Sequence, residues 1–432
     1  MFRKVLFLAG AVSVLSAWNV KAAVINSTWI GGDKGGWADP YNWNPNIVPR
    51  NSGSDKFNVS ISNAHIWLDD YYDPNVSSLS IDGDVDLWSR FVQLFSIEHS
   101  SLSIGAGDRI ELNDLHVESN GAVYNYGRID FQHRSHIKED IVNYGDINIS
   151  SISEAGIEGE LTNNGTVSIS HSSHFNAEEG IQNYGLFGIY GGLGVTDDAL
   201  YNNPTGILQG FGLFYAEQEI INEGQISAWG GSLTVATGGA LTNTGLIQST
   251  ELSPLLISTH MSSTPADFHN SGMIDIRTGG GAAFNCNLVN DANGVIELLG
   301  GTLSATTITQ SQGGTFQGFG SIAGTVVIEP NGIIELTAPT NIVGDITIDD
   351  GSTLEVNDGT TIITGHTTCN NGTIHMIGGR VICQGGLTNN GCDIIWEPGI
   401  DSNAADYNLD GRVNLEDYAQ FASTWLWEAS WR

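Results

Sequence analysis

Val142-Asn143-Tyr144-Gly145-Asp146-Ile147-Asn148-Ile149 is the stretch that decides the fold, because its pattern recurs along most of this 432-residue chain. Each copy has Asn, one further residue and Gly, followed by alternating apolar and polar positions. Full copies occupy 124–127, 142–145, 162–165, 182–185, 221–224, 242–245, 269–272 and 388–391, and looser ones 203–206, 293–294, 331–332, 350–351 and 371–372. A period near 20 residues without a helical pattern indicates a β-solenoid in which each repeat is one coil.

The alternation within a copy predicts a strand with one buried face. In Gly-Thr-Val-Ser-Ile (165–169), Val167 and Ile169 face inward while Thr166 and Ser168 face outward. The Asn-x-Gly is expected to supply left-handed backbone at a corner of the coil. Stacking at about 4.8 Å would turn the repeated Asn into an internal or rim ladder, so we interpret it as architectural and not catalytic.

The fold class predicted is therefore all-β: a parallel β-helix with coils of roughly 20 residues, followed by a small C-terminal loop–helix module. We expect the solenoid to span 78–398 and to have roughly sixteen coils. Right-handed coiling is the default for parallel crossovers.

The N-terminus has the pattern of a secretory signal. Met1-Phe2-Arg3-Lys4 precedes an apolar run at 5–17 and the small-residue site Val20-Lys21-Ala22, which predicts a signal peptide at 1–22 and export. No later stretch approaches 18 apolar residues, so no transmembrane segment is expected in the mature chain. A secreted, extracellular or cell-surface location follows.

Charge and cysteine content agree with an exported protein. The formal net charge is −33, and after Lys138 the basic residues are Arg277, Arg380, Arg412 and Arg432. This distribution excludes nucleic acid binding, because no basic face could neutralise phosphates. The even cysteine count predicts disulfides, and Cys369 and Cys392 could stack on adjacent coils. The pairing within the full set stays open among Cys286, Cys369, Cys383 and Cys392.

Residues 23–77 differ from the repeats and are rich in Trp and Gly. The segment Trp29 to Trp43, with Trp37 and Tyr41 inside it, resembles the start of bacterial surface and passenger-like β-solenoid proteins of the adhesin type. We interpret these aromatic residues as a plug over the open first coil. The alternative is a platform on which sugar rings stack. The same two interpretations apply to a second aromatic group, Trp67, Tyr71, Tyr72 and Trp88.

Offsets from the repeat glycines place chemistry-bearing residues in two expected columns. His136, Glu154 and His174 would line one wall, as a metal or acid–base site or as plain polar turns. Carboxylates would form the other column, to bind cations or to be a solvated edge: Asp140, Glu158, Glu178 and Asp198.

Many polysaccharide-degrading enzymes are parallel β-helices, so an enzyme is the alternative. Asp197-Asp198 offers a carboxylate pair for glycosidic chemistry. The Gly-His-Gly and Arg-Ile-Lys companions typical of such hydrolases are missing, and Gly365-His366 stands alone. Fold alone does not confer the activity.

The last segment, 399–432, contains a calcium-loop pattern with oxygen ligands at loop positions 1, 3, 5, 9 and 12 and Gly411 at position 6. It resembles one half of a type I dockerin. The resemblance implies side-chain oxygens from Asp406, Asn408, Asp410 and Asp417, the carbonyl of Arg412, and Asn414 directly or through water, around Ca²⁺. A full dockerin has two such repeats, which puts docking to a cohesin-like partner in doubt.

The residues after the loop carry an apolar stripe at helical spacing. A cell-surface partner, a sorting machine or the solenoid end could receive it. The stripe consists of Leu415, Tyr418, Phe421, Ala422, Trp425 and Leu426.

Two functions follow from these patterns. The first is a non-catalytic, secreted or surface-displayed solenoid that acts as an adhesive, matrix or carbohydrate-contacting rod and attaches through its calcium module. The alternative is an extracellular glycoside hydrolase or polysaccharide lyase.

Overall fold

The computed structural model describes residues 23–397 except 53–54, 69–72, 99, 151–152, 260–266 and 338. The predicted signal peptide and calcium module therefore lie outside the described residues, as do Tyr71 and Tyr72. Within them the chain is a parallel β-solenoid of about 16 turns with coils of about 20 residues, as predicted. One short 3-10 turn, Pro40–Asn42, is the helical element of this part of the chain.

Each coil contributes strands to three parallel sheets, of which the first, the asparagine sheet, carries the repeated Asn at its strand ends. Its strands are Val24–Trp29, Ser103–Ile104, Val123–Asn125, Ile141–Asn143, Leu161–Asn163, Ile181–Asn183, Leu200–Asn202, Ile220–Asn222, Leu241–Asn243, Phe268–Asn270, Leu288–Asn290, Ile346–Ile348, Thr367–Asn370 and Leu387–Asn390. The second sheet contains Lys34–Gly36, Arg128–Gln132, Asp146–Ile149, Thr166–Ile169, Leu246–Ser249, Met273–Arg277, Ile333–Leu336, Thr353–Val356, Thr373–Ile377 and Asp393–Glu397.

The third sheet completes the coil. It contains Asn75–Val76, Arg134–Ile137, Glu154–Ile157, His174–Ala177, Leu255–Ser258, Gly281–Phe284, Thr340–Val343, Thr360–Ile363 and Arg380–Cys383. Eight longer strands turn corners and join two or three sheets: Lys56–Leu68, Ser78–Ile97, Arg109–Ser119, Leu186–Thr196, Ile207–Ala216, Gln225–Thr237, Val295–Gln310 and Thr315–Ile328. Trp43–Asn44 pairs antiparallel with the first strand.

The core is a set of columns that run through the coils. Val167 pairs in register with Ile147 on one side and Phe187 on the other, and all three are fully buried. Burial of each such side chain is worth about 1.5–3 kcal/mol, and the alternating polar residues stay outside. Because every coil repeats the alternation, one continuous apolar core results.

The asparagine ladder is confirmed and lies inside the core. The side-chain nitrogen of Asn163 donates to the side-chain oxygen of Asn183 at 2.8 Å, and the side-chain oxygen of Asn163 accepts from the side-chain nitrogen of Asn143 at 2.8 Å. All three residues are fully buried. Distances of 2.6–2.8 Å continue the series from one end to the other. Its members are Asn125, Asn143, Asn163, Asn183, Asn202, Asn222, Asn243, Asn270, Asn290 and finally Gln310.

Three copies of the repeat align differently from the prediction. The ladder uses Asn202 and Asn290, not Asn203 and Asn293 of the looser copies. Asn389, in the copy at 388–391, is exposed and pairs in register with Cys369, so that copy is not part of the ladder.

The left-handed backbone predicted for the repeat glycines is wrong for the copies whose Asn belongs to the ladder. Gly127, Gly145, Gly165 and Gly185 are not among the left-handed residues of the chain. A Cβ on Gly165 would lie 2.1 Å from the carbonyl oxygen of Gly145, and one on Gly145 would lie 2.0 Å from that of Gly127. Glycine is needed because consecutive coils touch backbone to backbone at this corner. Left-handed backbone occurs at Gly391 of the copy at 388–391, with φ 91°, and in looser copies, for example at Asn331 with φ 63°.

Buried tryptophans close the N-terminal end of the core. Trp37 and Trp43 are fully buried with ring centroids 4.7 Å apart, and Trp37 also packs edge-on against Phe95 at 5.2 Å. Trp29 joins them at 5.1 Å from Trp43, whereas Tyr41 is exposed and takes no part. The three tryptophans therefore form the plug. Segment 23–77 also contributes strands, since Val24–Trp29 pairs in parallel with Lys56–Leu68.

A disulfide ties the last two coils. Cys369 and Cys392 are bonded across adjacent coils, with their Cα atoms 5.5 Å apart. Cys286 is a buried free thiol and Cys383 a half-buried one. Among the described residues, no helix is long and apolar enough to cross a membrane.

Candidate functional site

An exposed pair of tryptophans forms a pocket on the second sheet near the N-terminal end. Trp67 is 50% and Trp88 is 38% exposed, and their rings are nearly perpendicular with centroids 5.4 Å apart. Lys34, Gly35 and His65 complete the lining of about 420 Å³. We call this concavity, lined by those five residues, the tryptophan pocket.

Strand parity and register place the two rings side by side. Trp67 lies between the inward residues Ile66 and Leu68, so the strand turns its ring outward. Trp88 pairs with Trp67 one coil later. On the other side Trp67 pairs with Gly36, which has no side chain to cover it. A wall of two aromatic rings therefore opens beside a glycine strand.

Glycine is also required next to the pocket for packing. A Cβ on Gly35 would lie 2.6 Å from the Asn42 amide nitrogen and 3.0 Å from the Trp29 ring. The Asn42 amide is itself held by the carbonyl of Gly36 at 2.9 Å. The side of the pocket next to the plug is thus fixed by packing.

A charged network anchors the polar side of the pocket. The exposed His65 contacts the carboxylate of Asp86, which is mostly buried. Arg109 lies 3.3 Å from Asp86 and also contacts Glu111 and Asp130. Burial works against the Arg109 charge, but the hydrogen bonds to Asp130 and Glu111 outweigh it and raise the pKa of the guanidinium. Arg109 therefore balances the negative charge of the Asp86 carboxylate, while the imidazole of His65 is exposed to solvent.

This arrangement suits recognition of a molecule with apolar faces and hydroxyl edges. An exposed indole face packs on apolar C–H surface, and Lys34 and His65 can hydrogen-bond to hydroxyl groups beside it. An aromatic lining with a few polar groups is the usual composition of a small-molecule site.

The histidine column predicted from the sequence is wrong. Glu154 does pair with His174, but the residue in register before it is Arg134. His136 pairs instead with His116 and Gly156. Counting from the glycine fails because the two strands of each coil are separated by different numbers of residues. One residue, the left-handed His133, separates Arg128–Gln132 from Arg134–Ile137, whereas four residues separate Asp146–Ile149 from Glu154–Ile157 in the next coil.

His136 has a different environment from the one predicted. Its ring packs edge-on against His116 at 4.8 Å and leaves no room for a side chain on Gly156, whose Cβ would lie 2.3 Å from Nδ1 of His136. Burial, and then the charge of His116, lower the pKa of His136. The result is a packed pair of imidazole rings, His116 and His136.

Of the four residues predicted for the acidic column, only the middle two, Glu158 and Glu178, are stacked as predicted. Glu158 and Glu178 are stacked on successive coils. The backbone amide of Glu158 donates to the carbonyl of Ile137, and that of Glu178 donates to the carbonyl of Ile157, which is in register with Ile137. The next member is Asp197, bonded to Ala177, and not Asp198. Burial, and then repulsion from Glu158 and Asp197, raise the pKa of Glu178.

The other two residues predicted for the acidic column, Asp140 and Asp198, lie outside it. Lys138, not Asp140, precedes Glu158 in the column, because its amide bonds to Val117 at the equivalent position. Asp140 accepts a hydrogen bond from the Glu160 amide at 2.8 Å. Asp198 lines a small acidic hollow that also contains Glu160, Glu179 and Glu219.

Asp197 and Asp198 are thus divided between two surfaces. The Asp197 carboxylate accepts a hydrogen bond from the side-chain amide of Asn176 at 3.5 Å. The backbone amide of Asp198 donates to the hydroxyl of Thr196 at 3.3 Å. In the part of the chain that the structure covers, no three His, Cys, Asp or Glu side chains are placed to hold a metal. The predicted Ca²⁺ ligands at 406–417 lie outside that part.

Sequence inspection identified Trp67 and Trp88 but missed Lys34, His65 and Asp86. Two signals were available. The spacing of 21 residues between the two tryptophans equals about one coil, and Trp67 is flanked by the inward apolar residues Ile66 and Leu68. The chain matches no known protein family, no curated protein and no solved structure.

Proposed function

We propose that this protein is an exported, non-catalytic β-solenoid that binds a neutral polysaccharide through the tryptophan pocket and attaches to its surroundings through a C-terminal calcium module. The observation that carries the proposal is the exposed pair Trp67 and Trp88, beside a donor-bearing rim. The core rings Phe175 and Phe187 are, by contrast, fully buried. Large aromatic rings held open by a rigid sheet are suited to stacking.

Charge favours a neutral glycan over an acidic one. The chain carries a formal charge of −33, so long polyanions are repelled at a distance. Lys34 brings one positive charge to the pocket lining, and the Asp86 carboxylate lies next to the pocket against His65, which leaves little local excess of positive charge. Hydroxyl groups can be bonded by these donors without an ionic partner.

The two remaining parts of the proposal, export and attachment, are supported by sequence patterns. The signal-like pattern at 1–22 supports secretion, and the loop at 406–417 supports calcium binding. A surface-bound partner of the single dockerin-like repeat would hold the rod in place. Calorimetric titration with calcium tests the module: the full chain should bind calcium, and Asp410→Ala should remove that binding.

The glycan proposal is tested by affinity electrophoresis in gels that contain neutral β-glucans, xylans or mannans, with alginate and pectate as acidic comparisons. Retardation by at least one neutral polymer is expected. Trp67→Ala should weaken that binding about tenfold or more, since it removes a stacking ring, and Trp67→Phe should retain part of it.

A matched control is available on the same solenoid. Trp229 is 60% exposed and does not line the pocket, so Trp229→Ala should leave retardation unchanged. Equal losses in Trp67→Ala and Trp229→Ala would show non-specific adsorption through tryptophan. Retardation of Trp67→Ala equal to that of the unaltered protein would refute the pocket.

One observation favours the enzymatic alternative. The imidazole of His65 contacts the Asp86 carboxylate beside the tryptophan pocket, which is an arrangement that can accept a proton. Incubation with the same polymers should release neither reducing ends nor unsaturated products. Turnover lost in His65→Ala, or in Asp198→Ala, would replace the binding proposal by a catalytic one.

A further inference from the structure

Two exposed tyrosines stack on each other at the corner between the asparagine sheet and the second sheet. The rings of Tyr126 and Tyr144 are nearly parallel, at 4°, with centroids 5.1 Å apart. Tyr126 is 49% and Tyr144 is 51% exposed. Among the tyrosines that the structure describes, they are the one pair with stacked rings. We call these two residues the tyrosine pair.

The repeat itself places the pair side by side, because both residues occupy the middle position of an Asn-x-Gly copy. The backbone amide of Tyr144 donates to the carbonyl of Asn125, the residue before its partner, at 2.7 Å. The glycines that follow are in backbone contact, since a Cβ on Gly145 would lie 2.0 Å from the carbonyl oxygen of Gly127. The Cα atoms of the pair are therefore held one coil apart, at about 4.8 Å.

Other tyrosines of the described chain have different surroundings. The Tyr201 hydroxyl donates to the Glu219 carboxylate at 3.1 Å, whereas neither hydroxyl of the pair is hydrogen-bonded to a described residue. Tyr184 follows two coils after the pair at the same corner and is 42% exposed, but its neighbours on the adjacent coils are Asn164 and Asn203. The pair thus combines exposure with a second phenol in contact.

We propose that the tyrosine pair is a site of oxidative coupling, at which a peroxidase-type one-electron oxidant with hydrogen peroxide joins the two rings into a dityrosine. Each phenol loses one electron and one proton. The two phenoxyl radicals form a carbon–carbon bond between ring positions ortho to oxygen, and the two ortho hydrogens move to the oxygens, which restores both aromatic rings. Hydrogen peroxide takes up the two electrons and two protons and leaves as two water molecules.

Proximity favours coupling within one molecule. Two reacting groups that are held side by side behave as if each were present at a very high local concentration. Both side chains of the pair are half exposed, so they can turn to bring their ortho carbons together. Coupling between molecules is disfavoured, because chains of net charge −33 repel each other even where a single tyrosine is as open as Tyr41, at 77% exposed.

The new bond would join two adjacent coils, as the disulfide does near the other end of the described solenoid. Tyr126 and Tyr144 are 18 residues apart, and Cys369 and Cys392 are 23 residues apart. Disulfides persist in the oxidising surroundings of exported proteins, where a peroxide-driven link between tyrosines is also possible. Coupling requires neither a glycan nor the tryptophan pocket, so its outcome is independent of the proposed function.

The test is treatment of the full chain with a peroxidase and hydrogen peroxide, followed by trypsin digestion and mass spectrometry. Trypsin cuts after Arg128, Arg134 and Lys138, so the two tyrosines fall on different peptides unless they are joined. The two peptides should appear joined, with the loss of two hydrogen atoms, and fragment ions should locate the bond at Tyr126 and Tyr144.

Variants identify the phenols by the fluorescence of dityrosine. Tyr144→Phe keeps the ring and removes the phenol, so fluorescence should be at least about tenfold lower, since the local concentration of the partner is lost. Tyr184→Phe is the matched control and should leave fluorescence unchanged. Asn164→Tyr, added to Tyr126→Phe, places a phenol on the coil after Tyr144 and should restore the fluorescence that Tyr126→Phe alone has lost.

Three outcomes overturn the proposal. The first is the absence of joined peptides while free N-acetyltyrosine in the same mixture is coupled, which shows that the oxidant is active. The second is fluorescence of Tyr144→Phe equal to that of the unaltered protein. The third is joined peptides confined to the dimer band of a denaturing gel, because the bond would then form between two molecules.

Discussion

Replacing Asn163 by alanine should open the solenoid locally, because this side chain links three coils. Its oxygen receives the Asn143 amide at 2.8 Å and the Gly165 amide at 3.2 Å, and its own amide donates to Asn183 at 2.8 Å and to the carbonyl of Leu186 at 3.1 Å. Asn143, Asn163 and Asn183 are all fully buried.

The magnitude follows from these bonds. Each hydrogen bond contributes about 0.5–1.5 kcal/mol net, and a buried oxygen left without its donor, as at Asn183, costs about 1–3 kcal/mol. A loss of roughly 3–5 kcal/mol in local stability is expected, which corresponds to at least about 100-fold faster exchange. Neighbouring coils should be affected most, since each coil contacts only the adjacent ones.

Hydrogen–deuterium exchange on peptides covering 141–149, 161–169 and 181–189 measures the effect coil by coil. Asn164 provides a matched control, since it is the next residue, has the same side chain and is exposed. Asn164→Ala should exchange like the unaltered protein. If Asn163→Ala exchanges within about threefold of Asn164→Ala, the ladder does not stabilise the coils and the reasoning is refuted.

Three further predictions concern the corner, a carboxylate and the disulfide. Gly165→Ala should lower the melting temperature clearly and Gly281→Ala should not, because a Cβ would lie 2.1 Å from the Gly145 oxygen in the first case and no closer than 3.8 Å to any neighbour in the second; equal melting temperatures would contradict the backbone contact. Glu98 has its pKa lowered to about 2 by the hydrogen bonds from Lys56 and Asn75, so its contribution to stability is present above the ordinary value of 4.5 and lost as the pH falls toward 2. Denaturation measured across that window should show a flatter pH dependence in Glu98→Gln, and an unchanged slope would contradict the pKa. Reduction of Cys369–Cys392 should destabilise the last coil by about 3 kcal/mol, since the bond closes a 23-residue separation; exchange at 387–397 that is the same with and without reductant would argue against it.

The fold could be predicted from the sequence because one short pattern recurs at a nearly constant distance. An identical buried amide every coil, such as Asn143, Asn163 and Asn183, makes sense only if the coils stack, and that prediction is confirmed. The disulfide between adjacent coils is confirmed for the same reason.

Predictions that counted across a corner were less successful. His136 and Glu154 have offsets from their glycines that look equivalent, but one residue separates Arg128–Gln132 from Arg134–Ile137, whereas four separate Asp146–Ile149 from Glu154–Ile157. Register is set by backbone pairing, and a corner that changes length shifts every later residue. Offsets within one strand are therefore reliable, and offsets across a corner are not.

The aromatic groups show a second limit. Trp37 and Trp67 both lie in the Trp-rich N-terminal region, yet the first is fully buried and the second is half exposed. For Trp67 the alternation of Ile66 and Leu68 already indicates an outward ring. The neighbours Lys34 and Asp86 come from other coils, so stacking was needed to bring them to the pocket.

The measurement that tests the central claim most directly is a hydrogen–deuterium exchange footprint of the full chain saturated with the neutral polysaccharide that retards it. Slower exchange should be confined to peptides containing 34–36, 65–67 and 86–88, without release of new reducing ends. Protection elsewhere on the solenoid with these three segments unchanged, or cleavage of the polymer during the experiment, would contradict a binding role for the tryptophan pocket.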